Sequence, residues 1–321
     1  MKIMIARYRF IGDTILSIPF LKALREVYPA AEIHYLVGKD AHDLMQLCPY
    51  IDKAICFEPR ELGFWNAIQQ IKKEKYNTAY LLKRSFSSAL ITALAGVPER
   101  IGFDTEHRGL LLTKRISYRE HMQHEAQCFL DLLPTSCELN TIHLESWLPE
   151  AVYTTIQPWI LVTSGSKIVL HATSTNPAKC WPLRHFATLA KQLLSTSNTT
   201  LYAMGTTNES VSYETIRETL PAQLKDRLVN LCGKTTLVES MALLRHMDLV
   251  VANDSGMIHM AAAMQTPVIA LFGPSDPQQW FPLSDKAMVM THPNMCLADI
   301  MPEQVFEQCK TSLAFLSGIR S

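Results

Sequence analysis

The eight cysteines of this 321-residue chain form no C-x-x-C pair and no zinc-ligand spacing. Scattered among apolar residues, they read as reduced thiols, which excludes a disulfide-stapled scaffold and a cysteine metal cage. No run of about 18 apolar residues occurs, so no segment reads as a membrane-spanning helix. Met1–Ala6 gives way to Arg7 and Arg9 too soon for the core of a signal peptide. A soluble, cytoplasmic protein is expected, with contact to a membrane surface left open. Neither sign of charge prevails, because 30 Lys and Arg residues offset 30 Asp and Glu. No long-range field therefore draws the molecule to nucleic acid or to an anionic surface.

Several chemical signatures are absent as well. There is no D-x-D pair to chelate a metal diphosphate and no G-x-x-x-x-G-K-[ST] phosphate loop. The G-x-G-x-x-G spacing of nicotinamide and flavin enzymes and the G-x-S-x-G hydrolase elbow are also missing.

What is present is a hydrophobic content of 48%, ample for a large core, on a chain long enough for two domains at about 100–200 residues each. Short apolar runs alternate with helically spaced ones. Strands are expected at Lys2–Ala6, Glu32–Val37, Lys53–Phe57 and Thr78–Leu82, with helices from Thr14, over Ala41–Leu47, Leu62–Lys73 and Ser87–Ala95. Glu99–Arg119 reads as loop, and His121–Leu133 as helix. Periodicity then fades through Pro149, Pro158 and Thr163–Ser166, with a short strand conceivable at Trp159–Val162, which places the boundary between domains at 158/159.

The alternation restarts at Ile168–His171 and continues through strands Thr200–Met204, Leu228–Leu231, Asp248–Ala252 and Pro267–Phe272. Helices are expected at Leu183–Leu194, Glu209–Thr219, Leu237–His246 and Met257–Met264. A closing amphipathic helix, Pro302–Ile319, is a candidate to cross back onto the first domain. Strand–helix alternation of this kind means two parallel sheets covered by helices, with ligands outside the carboxyl ends of the strands and a cleft between the domains.

Candidate chemistry gathers at those ends. In Ala252-Asn253-Asp254-Ser255-Gly256, an apolar strand opens into a helix whose first N–H groups suit an anion, and Gly256 permits close approach. Asp254 itself suits hydroxyls, although Asp254 and Ser255 as plain helix caps explain the same residues. His259, one turn into the helix, is either a core residue or a donor contact. Lys179, beside Pro182 at a helix start, is placed to reach a phosphate, and the hydroxyls of Thr173 and Ser174 follow a strand end. Without a metal-chelating pair, Lys179 and backbone donors must stabilise a leaving diphosphate.

In the first half, Arg9-Phe10-Ile11-Gly12-Asp13 ends the first strand. Gly12 would allow a tight turn there. Asp13 is either a helix N-cap or a general base aimed at an acceptor hydroxyl, and the two roles are compatible. The basic residues Lys83, Arg84, Arg100, His107, Arg108, Lys114 and Arg115 fall in later loops, suited to an anionic acceptor.

At Arg7–Asp13, His171–Pro182, Val250–His259, Thr266–Pro274 and Phe272–Pro277, the chain resembles the ADP-heptose:lipopolysaccharide heptosyltransferases of glycosyltransferase family 9 over nearly its full length. Ser255 stands where threonine is common in that family. The resemblance implies an α/β chain of the GT-B fold, two Rossmann-like domains with parallel sheets facing across a cleft. The acceptor would occupy the first domain (1–158) and the donor the second (159–321).

The resemblance also implies an inverting, metal-independent transfer without cofactor, from ADP-L-glycero-D-manno-heptose to the lipid A-core acceptor of lipopolysaccharide. The roles it carries over are general base for Asp13, phosphate contacts for Lys179, Thr173 and Ser174, sugar hydroxyl contacts for Asp254, and the adenosine ribose for Glu209. Ser255, Gly256 and His259 complete the expected donor set, and Arg9, Gly12, Lys83, Arg84 and Arg108 the acceptor set. A monomer without nucleic-acid partners is expected. A GT-B transferase or epimerase using a different nucleotide sugar, and a non-catalytic nucleotide-sugar-binding protein, are the alternatives.

Overall fold

The computed structural model describes residues 1–137, 139, 141–144, 147–160, 165–196 and 198–320, with the side chains of 315–320 excepted. The chain forms two compact units, Met1–Asn140 and Thr141–Ser321.

The first unit runs β1 (Lys2–Ala6), α1 (Ile11–Leu16), α2 (Ile18–Val27), β2 (Glu32–Val37), α3 (Lys39–Gln46), β3 (Lys53–Cys56), α4 (Pro59–Leu62), α5 (Phe64–Glu74), β4 (Thr78–Leu81), α6 (Phe86–Leu94), β5 (Glu99–Phe103), β6 (Lys114–Ile116) and α7 (Glu125–Leu130). Its six strands form one parallel sheet in the order β3-β2-β1-β4-β5-β6. β1 is apolar from Ile3 to Ala6, and Ile3, Met4 and Ile5 are wholly buried, as expected of a strand covered on both faces.

The second unit runs α8 (Glu150–Ile160), β7 (Ser166–His171), α9 (Leu183–Thr196), β8 (Thr199–Ala203), α10 (Ser210–Thr219), β9 (Leu228–Asn230), α11 (Leu237–Arg245), β10 (Leu249–Asn253), α12 (Gly256–Ala263), β11 (Val268–Leu271), α13 (Pro277–Trp280), β12 (Ala287–Met290) and α14 (Pro302–Arg320). Its parallel sheet follows β12-β11-β10-β7-β8-β9, the same doubly wound order as the first. In each sheet the strand order reverses between two central strands, β1 and β4 in one and β7 and β10 in the other. The carboxyl ends at that reversal are where such a sheet leaves room for a ligand.

Several expectations are corrected. Glu99–Arg119 is not all loop, since it contributes β5 and the edge strand β6. Lys114 and Arg115 are exposed on β6, so hydrophobic patterning gave no signal. The helix expected at 121–133 is confined to α7. The boundary between units falls at 140/141, ahead of the expected 158/159, because 150–160 is a helix of the second unit. Buried Val152 and Ile156 seat α8, which packs against α11, and Pro158 is accommodated near its end. Trp159 and Ile160 are therefore helical, not the start of a strand, and Leu161–Ser164 lie outside the described residues. The closing helix α14 packs on α9 and β10 of its own unit through Val305 and Cys309.

All eight cysteines are free. Among the described residues, no helix is long and apolar enough to cross a membrane.

Candidate functional site

In the second unit, the loops that leave β7 and β10 are laced together. Trp181 is fully buried against Phe186, with ring centroids 4.9 Å apart. Its backbone N–H donates to Asn253 Oδ1 at 2.9 Å, and its indole N–H donates to the Ile300 carbonyl at 2.9 Å. Asn176 caps the short turn Pro177–Lys179, accepting from the Ala178 N–H at 3.1 Å. That turn presents Lys179 to the end of β10, where Lys179 Nζ lies 2.6 Å from Asp254 Oδ2. The carboxylate is almost buried, with 7% of its side chain exposed, against 30% for the lysine. Ser174 Oγ reaches the Asp254 carbonyl at a long 3.5 Å.

Asp254 is thus committed to a cation and is not a helix cap. Ser255 occupies the N-cap position of α12, yet its side chain makes no capping hydrogen bond, and its buried Oγ has no partner. The first turn of α12 begins at Gly256 with the positive end of the helix dipole uncapped by either side chain. Such an end, beside an ammonium and an unused hydroxyl, is suited to a phosphate.

Farther along the rim, Thr173 Oγ1 donates to Glu209 Oε1. The other oxygen of Glu209 accepts the Thr206 N–H at 2.5 Å and its hydroxyl at 2.9 Å, closing a capping box. Burial works to raise the Glu209 pKa, but the bonds from Thr173 and Thr206 outweigh it and hold the carboxyl below its ordinary value. Gly205 makes room for this carboxylate, since a Cβ there would lie 2.5 Å from Glu209 Oε2. His171 Nδ1 is 3.0 Å from the Met204 carbonyl, which fixes that nitrogen as the donor. His259 is 5% exposed, inside α12. Asp276 caps α13, accepting from the Gln278 N–H at 2.9 Å.

In the first unit, helix α1 begins at Ile11, so Gly12 and Asp13 both lie inside its first turn. Gly12 is helical, and the sharp turn falls on Phe10, whose φ of 60° is unusual for a bulky residue. Asp13 is not the N-cap. Its Oδ1 lies 2.6 Å from Arg7 Nη2, and the two side chains are 9% and 11% exposed. Burial opposes the Arg7 charge, but Asp13 outweighs it and raises the guanidinium pKa.

Around this pair, Lys83 Nζ lies over the Tyr8 ring at 4.9 Å, Arg9 over Phe10 at 4.9 Å, and Arg84 over Tyr118 at 3.9 Å. Burial, reinforced by Arg7 and Arg9, pushes the Lys83 ammonium down to about 8. These three cations are compatible with an anionic ligand at the ends of β1 and β4. Arg108 is not among them. It is wholly buried, donating to the carbonyls of Phe103 at 2.7 Å, Leu81 at 3.4 Å and Lys83, so it holds the end of β4 from inside.

The model of glycosyltransferase family 9 (heptosyltransferase) matches residues 64–310. The chain belongs to this family. The family 9 chain is 30% identical to lipooligosaccharide heptosyltransferase 2 of Haemophilus influenzae over 308 residues, 90% of this chain and 88% of that one. It is 28% identical to lipopolysaccharide heptosyltransferase 2 of Escherichia coli K12, covering 98% of this chain and 99% of the relative. The solved structure of E. coli ADP-heptose LPS heptosyltransferase II superposes with a TM-score of 0.85 at 27% identity, covering 99% and 100% of the two chains. This family 9 protein is accordingly a glycosyltransferase with the two α/β sheets of the GT-B class.

Within this family 9 site, Lys179, Asp254, Ser174, Ser255 and Gly256 come together, and Thr173 joins Glu209. Reading by sequence placed Arg7, Asn253 and Trp181 inside its motifs without a role for any of them, and missed Thr206. Arg7 carried a signal, as a basic residue in the same loop as Asp13. Asn253 and Trp181 carried none, because their bond joins positions 72 residues apart.

Proposed function

We propose that this enzyme transfers a heptose from ADP-L-glycero-D-manno-heptose to the lipid A-core acceptor of lipopolysaccharide, in a single inverting displacement. The observation that carries the donor side is the uncapped N-terminus of α12 beside Lys179 and the unpartnered Ser255 hydroxyl. The name heptosyltransferase 2 shared by the relatives at 28–30% identity supports the sugar and the acceptor class.

In this reading Asp13 takes the proton from the acceptor hydroxyl as that oxygen attacks the anomeric carbon. The bond to the diphosphate breaks, and ADP leaves with its charge stabilised by Lys179 and the N–H groups of α12. Thr173 and Ser174 contact phosphate oxygens, Asp254 holds sugar hydroxyls, and Glu209 holds the adenosine ribose. Arg9, Lys83 and Arg84 meet anionic groups of the acceptor. We further propose that no metal ion or cofactor takes part, and that the enzyme works as a monomer in the cytoplasm, peripheral to the inner membrane.

Calorimetry with ADP, UDP and GDP, followed by a transfer assay with ADP-heptose and core acceptor in the presence of EDTA, tests this. ADP should bind tightest and transfer should survive the chelator. Preference for UDP or GDP would point to another nucleotide sugar, and binding without product to a non-catalytic protein.

A further inference from the structure

We propose that Lys179 and Asp254 form a latch by which the site distinguishes the nucleotide sugar from the nucleotide diphosphate left after transfer. The inference rests on the reading of the second unit as the ADP-sugar site. Asp254 is a nearly buried carboxylate whose Oδ2 sits 2.6 Å from the Lys179 ammonium. Lys179 is more exposed and stands on a three-residue turn, so its ammonium has freedom to leave.

A diphosphate arriving at the N-terminus of α12 competes with Asp254 for this one ammonium, and its charge repels the carboxylate. If Lys179 follows the diphosphate, Asp254 is left buried without its cation. That state is strongly unfavourable unless hydrogen-bond donors replace the ammonium. The hydroxyls of a sugar joined to the diphosphate are such donors, and ADP carries none at that end. The nucleotide sugar therefore turns the latch at little cost, whereas ADP must leave the carboxylate unpaired. Departure of the sugar restores the Lys179–Asp254 pair and loosens the hold on ADP. The pair thus sets donor over product and speeds product release.

The test is calorimetry on the full chain with ADP and with ADP-heptose. The wild-type protein should bind ADP-heptose at least about tenfold more tightly than ADP, because only the sugar satisfies Asp254. Asp254→Asn removes the competing charge and should tighten ADP binding by about tenfold, with no gain for ADP-heptose. An Asn variant that binds ADP no better, or worse, overturns the latch, since Asp254 would then be holding Lys179 ready for the phosphate. Equal wild-type affinities for the two ligands overturn it without recourse to any variant. A wild-type protein that binds neither ligand removes the donor reading itself and the latch with it, an outcome distinct from failure of the latch alone.

Discussion

Asp13 and Arg108 were both assigned to the substrate from sequence, and their surroundings separate them. Asp13 lies in the first turn of α1 with its Oδ1 2.6 Å from Arg7 Nη2. Asp13→Ala should abolish transfer while leaving ADP binding within about twofold, because a base acts in the chemical step and not in holding the nucleotide. Transfer at the wild-type rate would remove Asp13 from that role. Arg108 spends its donors on three backbone carbonyls and reaches no solvent. Arg108→Met should remove these bonds, leaving the Lys83 carbonyl only the Ser88 hydroxyl, and cost about 3 kcal/mol of stability. Denaturant unfolding would show the loss, with ADP affinity unchanged, and a stable variant with a weakened acceptor KM would return Arg108 to the acceptor set.

At the scale of elements, what shapes the site is how strand ends pass into helices. The turn after β8 depends on Gly205, where a Cβ would meet Glu209 Oε2 at 2.5 Å. The obstructing atom is the end of a flexible side chain, but Gly205 has a φ of 158°, where a Cβ is itself strained, so Gly205→Ala should cost about 1–3 kcal/mol in stability. It should also swing Glu209 away from Thr173 and Thr206, and ADP affinity should fall about tenfold if Glu209 contacts the ribose. Calorimetry beside a thermal melt separates these effects, and unchanged ADP binding would exclude Glu209 from the donor site. Many segments of strong period were legible in the sequence to within a residue or two, β1, β2, α9 and α12 among them. The strands that escaped were β5, β6 and β12, and the short helices α4 and α13 escaped with them. β6 and β12 lie at sheet edges, where one flank is unpaired and alternation is weak. For α8, Pro149 and Pro158 suggested a break that its contact with α11 overrides.

For the whole molecule, pH dependence follows from histidines spread over both units. His34, His171, His185 and His246 all have pKa values lowered, with burial the leading cause in each, from an ordinary 6.5. A histidine kept neutral in the folded state takes up its proton more readily once unfolded, so acid favours unfolding. Their contribution to stability is complete above about pH 6.5 and is lost as pH falls below it toward the folded values. The Glu209 carboxyl adds to the loss at lower pH, where its protonation breaks the bonds from Thr173 and Thr206. The thermal midpoint should therefore fall only slightly from pH 8 to 7, where Lys83 takes up its proton in the folded state, and drop more steeply from about pH 6.5 to 5. His171→Asn should shallow that drop, and an acid limb of undiminished slope would assign it to other groups.

The sequence by itself determined the fold class, two α/β units, and the positions of Asp13, Lys179, Asp254 and the start of α12. These depend on local periodicity and on the rule that parallel strands end at one rim, and both are written into neighbouring residues. Only the tertiary structure decided which side chains meet. The Lys179–Asp254 pair spans 75 residues, the Trp181–Asn253 bond spans 72, and the Thr173–Glu209 bond spans 36. No local pattern encodes such distances. Burial was equally hidden, because an arginine in a loop reads alike whether it faces solvent or, like Arg108, is drawn inward to satisfy the carbonyls at a strand's end.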